Sequence, residues 1–133
     1  MTSSGAATHP VAGWSVYGAA KDGLELFGKT LAEESREACF NLRVHLLYAS
    51  IVDTAVHEWI RHMTFSAVEE FRGYERSGLL RPLEEPAALI WWLATSFARD
   101  TLDRVAAVDD GNVRRRLASN LGLPLFRPCG AAA

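Results

Sequence analysis

Cysteine is scarce in this sequence: Cys39 and Cys129 are the two present, with no Cys-x-x-Cys and no Cys/His spacing. That scarcity excludes a disulfide framework and a zinc site, and it points to a reducing compartment, with the cytoplasm the expected location. The four histidines supply no metal site either. His57 and His62 fall on different sides of a helix, and His57-Glu58-Trp59 lacks the second histidine that zinc proteases require. No apolar run is long enough to span a membrane, and the opening residues lack a charged segment followed by an apolar one. An excess of positive charge is missing as well, since 14 Lys and Arg stand against 16 Asp and Glu, a net charge of −2. Nucleic acids and anionic membranes reward a basic surface, so neither is an expected partner. The short run Arg114-Arg115-Arg116 reads as a solvated helix face. What is present is apolar material: 49% of the 133 residues are hydrophobic and 10% aromatic, enough for one globular domain.

Residues 1–13 are small and polar, contain Pro10 and two glycines, and read as a loop that builds no core. From Trp14 to about Ala38 there is no proline, and Ala20, Leu24, Phe27 and Leu31 recur at the spacing of one helical face. A second stripe, Ala19, Gly23, Leu26 and Thr30, is small and weakly apolar, so another body can approach closely there. Residues 42–48 are short, apolar and partly β-branched, which suits a buried strand. Asp53 or Thr54 can cap a helix through about Arg61, and helical spacing resumes from Phe65 to Tyr74 before Ser77-Gly78 stops it. Glu84-Glu85-Pro86 forms the first turn of an apolar helix from Ala87 to Phe97. That helix carries Trp91 and Trp92, which face about 100° apart, one toward the core and one toward an interface. A second strand is expected over 104–108, followed by a basic-faced helix to about Asn120, with 121–133 a disordered tail. Strands separated by long helices imply parallel crossovers and an α/β class. Two strands make a poor sheet, so residues 1–120 read as the second half of a Rossmann-type doubly wound parallel domain whose first half is absent.

Tyr17-Gly-Ala-Ala-Lys21 sets a phenol and an ammonium one turn apart on one helix face. A phenol holds its proton at neutral pH, and a nearby cation favours the phenolate, which makes proton exchange accessible. Ser4 precedes Tyr17 by thirteen residues, across a Gly/Pro-containing loop that can fold its hydroxyl back beside the phenol. By itself Tyr-x-x-x-Lys is a common surface pair on helices. In company with Ser3-Ser4-Gly5, with Asn41-Leu-Arg-Val-His-Leu-Leu47 and with Ile51-Val-Asp-Thr54, it resembles the short-chain dehydrogenase/reductase family, from Ser3 to about Asp110.

That resemblance implies an NAD- or NADP-dependent oxidoreductase, a carbonyl reductase or alcohol dehydrogenase acting on a small-molecule carbonyl or alcohol. It implies that Ser4 polarises the substrate oxygen, that Tyr17 donates or accepts the proton, and that Lys21 holds the nicotinamide ribose and favours the tyrosinate. Val52 and Thr54 match the family's contacts to the nicotinamide, while Ala49-Ser50 stands where the family carries Pro-Gly. His57, Trp59 and Phe65 fall where the family's substrate lid follows, and His57 and Trp59 are the expected pocket residues. Short phrases such as Ser77-Gly-Leu-Leu80 look most like the sepiapterin-reductase-like, benzil-reductase-type branch. The family's Gly-x-x-x-Gly-x-Gly turn, which holds the cofactor pyrophosphate, has no counterpart in this sequence. The expectation is therefore a truncated fragment that cannot bind cofactor fully alone, and that forms a homo-oligomer if complete. The alternative is a non-enzymatic remnant or interaction module associating through helices 14–38 and 87–97.

Overall fold

A computed structural model of the chain describes residues 1–40, 42–95, 105–107 and 110–121. Three short strands form one parallel sheet in the order β1 (Thr2–Ser3), β2 (Leu46–Tyr48), β3 (Val105–Ala107). The register pairs Thr2 with Leu47 and Ser3 with Tyr48 on one side of β2, and Leu46 with Val105 on the other. The helices are α1 (Ser15–Glu37), α2 (Ala55–His62), α3 (Val68–Arg76), α4 (Glu84–Thr95) and α5 (Gly111–Leu121). An α/β chain with parallel crossovers is thus observed. No helix among the described residues is long and apolar enough to cross a membrane.

Local signals explain most boundaries. Thr54 caps α2 by accepting from the His57 amide at 3.2 Å. Asp110 caps α5, its Oδ1 accepting from the amides of Asn112 at 2.7 Å and Val113 at 3.2 Å. Pro86 sits in the first turn of α4, where a missing N–H costs nothing. α1 runs out at Cys39, whose φ of 55° supplies the left-handed residue that ends many helices and that is usually glycine.

The alternation of a strand divides β2 between two layers. Leu47 turns toward α4 and α5, joining Leu89, Trp92, Val113 and Leu117 in one buried cluster. Full burial of a leucine such as Leu89 or Leu117 contributes roughly 1.5–3 kcal/mol. Leu46 turns the other way, toward α1, and a Cβ built on Gly28 would lie 3.0 Å from its Cδ2. Of the tryptophan pair, Trp92 is the core residue, whereas Trp91 is 65% exposed.

Four expectations are corrected. The opening segment is not a coreless loop: Thr2–Ser3 is a strand, Ser3 is buried, and Gly5–Ala7 forms a 3-10 turn. A two-residue strand has no periodicity to detect, and only its pairing with β2 creates it. The sheet accordingly has three strands rather than two. The buried stripe of α1 is Glu25, Gly28 and Ser35, not Ala20, Leu24, Phe27 and Leu31, of which Phe27 is 57% exposed. A glycine lets the helix approach β2 closely and donors satisfy the carboxylate, so the sheet selects a face that hydropathy alone would leave outward. Strand 42–48 shortens to Leu46–Tyr48. Residues 96–97 of the expected fourth helix, Cys129 and all of the expected tail beyond Leu121 lie outside the described residues.

Candidate active site

β1 delivers its chain directly to Ser4, which caps the 3-10 turn: its Oγ accepts from the Ala6 amide at 3.3 Å and its carbonyl accepts from the Ala7 amide at 2.9 Å. The side-chain bond occupies a lone pair and leaves the hydroxyl proton for another acceptor. The turn lies against α1 at Gly18, where an added Cβ would stand 2.9 Å from the Ala6 carbonyl oxygen. Ser4 and Tyr17 therefore belong to segments in direct contact.

On α1 the Lys21 ammonium stands 5.7 Å from the centroid of the Tyr17 ring. It also donates to the Thr2 carbonyl at 3.0 Å, fastening the helix to β1. The Trp14 ring meets Tyr17 edge-on at 5.3 Å, an arrangement that orients the phenol. Tyr17 is 44% exposed and forms part of the wall of a cleft of about 790 Å³. Trp14, Trp59, Ile60, Met63 and Phe65 line the same cleft, so α2 and the segment after it close the space above the phenol.

The loop after β2 makes a sharp change of direction at Ser50, which has φ 64°. The backbone conformation that favours glycine is thus adopted by a serine at the position where glycine is the expected residue. A left-handed residue other than glycine is strained by roughly 1–2 kcal/mol, and glycine returns part of that through unfolded-state entropy. Ser50→Gly should therefore raise stability by about 0.5–1 kcal/mol, read as a higher denaturant midpoint at unchanged slope. An unchanged or lower midpoint would contradict this account. Val52 is held beside Arg81 by an isolated parallel bridge, with the Asp53 amide donating to the Arg81 carbonyl at 2.9 Å. Arg81 is buried and ion-paired with Glu85 at 2.8 Å, which anchors this loop to the start of α4. Thr54 follows as the α2 cap described above.

Tyr17 and Lys21 are thus brought together, Ser4 lies on the turn packed against their helix, and Trp59 lines the cleft. His57 is placed elsewhere. It is buried, its Nδ1 accepts from Arg61 Nη1 at 2.7 Å, its ring packs 5.8 Å from that of Phe71, and it does not line the cleft. Burial, reinforced by the Arg61 charge, holds its pKa below the usual 6.5. A histidine kept neutral in the fold contributes stability that is complete above pH 6.5 and is lost as pH falls below that value toward the folded pKa. Thermal midpoints should accordingly begin to drop below about pH 6.5, and His57→Gln should abolish that part of the decline. An identical profile in the variant would remove His57 from the explanation.

Two further features escaped the pattern of the sequence. Trp14 reads in the sequence only as the start of a helix, and it lines the cleft. Glu25 is nearly fully buried, although its spacing from Tyr17 and Lys21, about two turns and one turn along the same helix face, was available as a signal. Among the described residues, no three His, Cys, Asp or Glu side chains converge as a metal site would require.

Known proteins resemble this chain in sequence and fold. A family model described as short chain dehydrogenase matches residues 1–64. The chain is 35% identical over 110 residues to a benzil reductase ((S)-benzoin forming) of Saccharomyces cerevisiae, covering 77% of this chain and 41% of the relative. It is 32% identical over 81 residues to a benzil reductase ((S)-benzoin forming) of Bacillus subtilis, covering 59% of this chain and 33% of that one. The crystal structure of a short chain dehydrogenase/reductase from Saccharomyces cerevisiae superposes with a TM-score of 0.73 at 26% identity, over 86% of this chain and 46% of that chain. The chain therefore spans less than half the length of each of these proteins.

Proposed function

The chain belongs to the short-chain dehydrogenase/reductase family, close to its benzil reductases, and from that premise we propose that it forms the catalytic half of an NAD(P)-dependent carbonyl reductase. The observation that carries this reading is Tyr17 in the wall of an aromatic cleft with the Lys21 ammonium beside its ring. Tyr17 gives its proton to the substrate oxygen, and Lys21 stabilises the negative charge that develops on the phenol. The Ser4 hydroxyl holds the same oxygen by donation, so that it is polarised before the proton arrives. Trp14, Trp59 and Phe65 exclude water and offer flat apolar surfaces, which suits a carbonyl flanked by aromatic groups.

The residues present fit the nicotinamide end of the cofactor. Lys21 has donors beyond the one given to Thr2, and the loop 49–54 leaves the end of β2, the strand paired with the one that precedes Ser4. When bound, a nicotinamide supplies or accepts the hydride. Ser4, Tyr17, Lys21, Val52 and Thr54 serve that end, while the residues that hold its pyrophosphate are not in this sequence. We assign them to the half of the domain that the relatives possess beyond the matched region. The opposite reading, an association module without activity, draws on the outward apolar residues Leu26 at 66% and Phe27 at 57% exposed.

The test is to capture the endogenous polypeptide from its source cells with an antibody to α1, measure its intact mass, and assay benzil reduction with NADH and with NADPH. Cofactor-dependent reduction by a polypeptide heavier than this chain is the expected result. A polypeptide of 14.6 kDa that reduces no carbonyl substrate with either cofactor would overturn the enzymatic reading in favour of the association module.

A further inference from the structure

We propose that Glu25 is a positioning residue for this site: its carboxylate ties the strand end that delivers Ser4 and the strand end that delivers the loop 49–54 to the helix carrying Tyr17 and Lys21. This rests on the function proposed above. The Glu25 side chain is only 4% exposed. Its Oε1 accepts from Ser3 Oγ at 2.6 Å and from the Tyr48 hydroxyl, and its Oε2 faces Lys29 Nζ at 3.3 Å.

A carboxylate in such a place costs free energy unless its lone pairs are filled, and here three donors fill them. An apolar side chain would bury as well on this face without that cost, but it would have no direction. Hydrogen bonds to one oxygen specify where β1 and β2 stand along α1. Ser3 is the residue before Ser4, and Tyr48 is the last residue of β2 before the loop that bears Ser50, Val52 and Thr54. One turn earlier on the helix, Lys21 grips the Thr2 carbonyl, so successive turns of α1 hold successive residues of β1. The grip of Lys21 on the backbone and of Glu25 on the side chain together fix the approach of Ser4 to the phenol. The ionised state persists, because donation from Ser3, Tyr48 and Lys29 outweighs the penalty of burial and holds the carboxyl below its usual range.

The two arms of this tether predict different kinetic signatures. In the endogenous polypeptide, Ser3→Ala frees the Ser4 end and should lower kcat by about 10- to 100-fold with little change in cofactor KM. Tyr48→Phe frees the loop end and should raise cofactor KM about 5- to 10-fold with kcat held within a few-fold. Glu25→Leu combines both defects, whereas Glu25→Gln, whose amide oxygen still accepts from Ser3 and Tyr48, should restore most of the lost activity. Should Glu25→Leu fail to fold, the two single-arm variants carry the test. Variants that shift only the melting temperature, with kcat and KM per folded molecule at wild-type values, would make Glu25 merely structural and overturn the proposal while leaving the reductase reading intact. Absence of reduction in the wild-type polypeptide would instead remove the reductase reading, and the positioning role with it.

Discussion

On the proposed reductase function, replacing Tyr17 by phenylalanine should lower kcat for carbonyl reduction by roughly 10²- to 10⁴-fold, the usual worth of a positioned general acid. The substitution removes one oxygen and leaves the ring, so the edge-on contact with Trp14 and the cleft wall survive. Cofactor affinity stays near wild type, because the contacts assigned to the nicotinamide ribose come from Lys21. A fall in kcat without a rise in KM is the signature of an interaction made only in the transition state. The measurement is steady-state turnover of the endogenous polypeptide with benzil at saturating cofactor, beside a direct binding titration. Turnover within threefold of wild type would transfer the proton to another group and dismantle the assignment of Ser4 and Lys21 around it.

Gly18→Ala has an unusual expected result, for alanine is normally the better helix former by about 1 kcal/mol. Here the added Cβ would lie 2.9 Å from the Ala6 carbonyl oxygen, a backbone atom that cannot rotate away. The 3-10 turn must move off the helix, and overpacking of this kind costs about 1–3 kcal/mol, so the propensity gain is cancelled or exceeded. The turn carries Ser4, and a displacement of about 1 Å at a reacting group costs on the order of 10²-fold in rate. Gly23→Ala supplies the control within the same helix. Nothing lies within 4 Å of its Cβ position, so that variant should gain about 1 kcal/mol and keep its turnover. Denaturant midpoints and kcat for both variants decide the matter. Equal stabilisation of the two, with unchanged kcat in each, would show that the turn does not rest on Gly18 as described.

The pairing of the residues proposed to bear the chemistry was readable because its geometry is nearly covalent. Four residues along a helix are neighbours whatever surrounds them, so Tyr17 and Lys21 share a face by the pitch of α1 alone. Caps behave likewise: Thr54, one of the two cap candidates the sequence offers for α2, acts on an amide three residues away. The left-handed turn at Ser50 was legible only in part, since a serine gives no sign of a conformation that glycine normally marks.

Contacts across the chain were another matter. That Thr2–Ser3 is a strand follows from β2, whose edge satisfies its backbone groups, and not from any property of two polar residues. That α1 buries Glu25 and Gly28 while Phe27 stays outside follows from what the sheet presents to the helix, namely a leucine needing close approach and two hydroxyls needing an acceptor. His57, grouped by position with Trp59, turns instead to Arg61 and Phe71, because residues two apart on a helix point about 200° apart, to nearly opposite sides. The sequence by itself thus determined the α/β class, the helix carrying Tyr17 and Lys21 and the family resemblance, all of which depend on spacing along one element. Which face of each element turns inward, which segments meet at Gly18 and what fills the carboxylate of Glu25 were decided by the tertiary structure, because burial and hydrogen bonding are properties of partners brought from elsewhere in the chain.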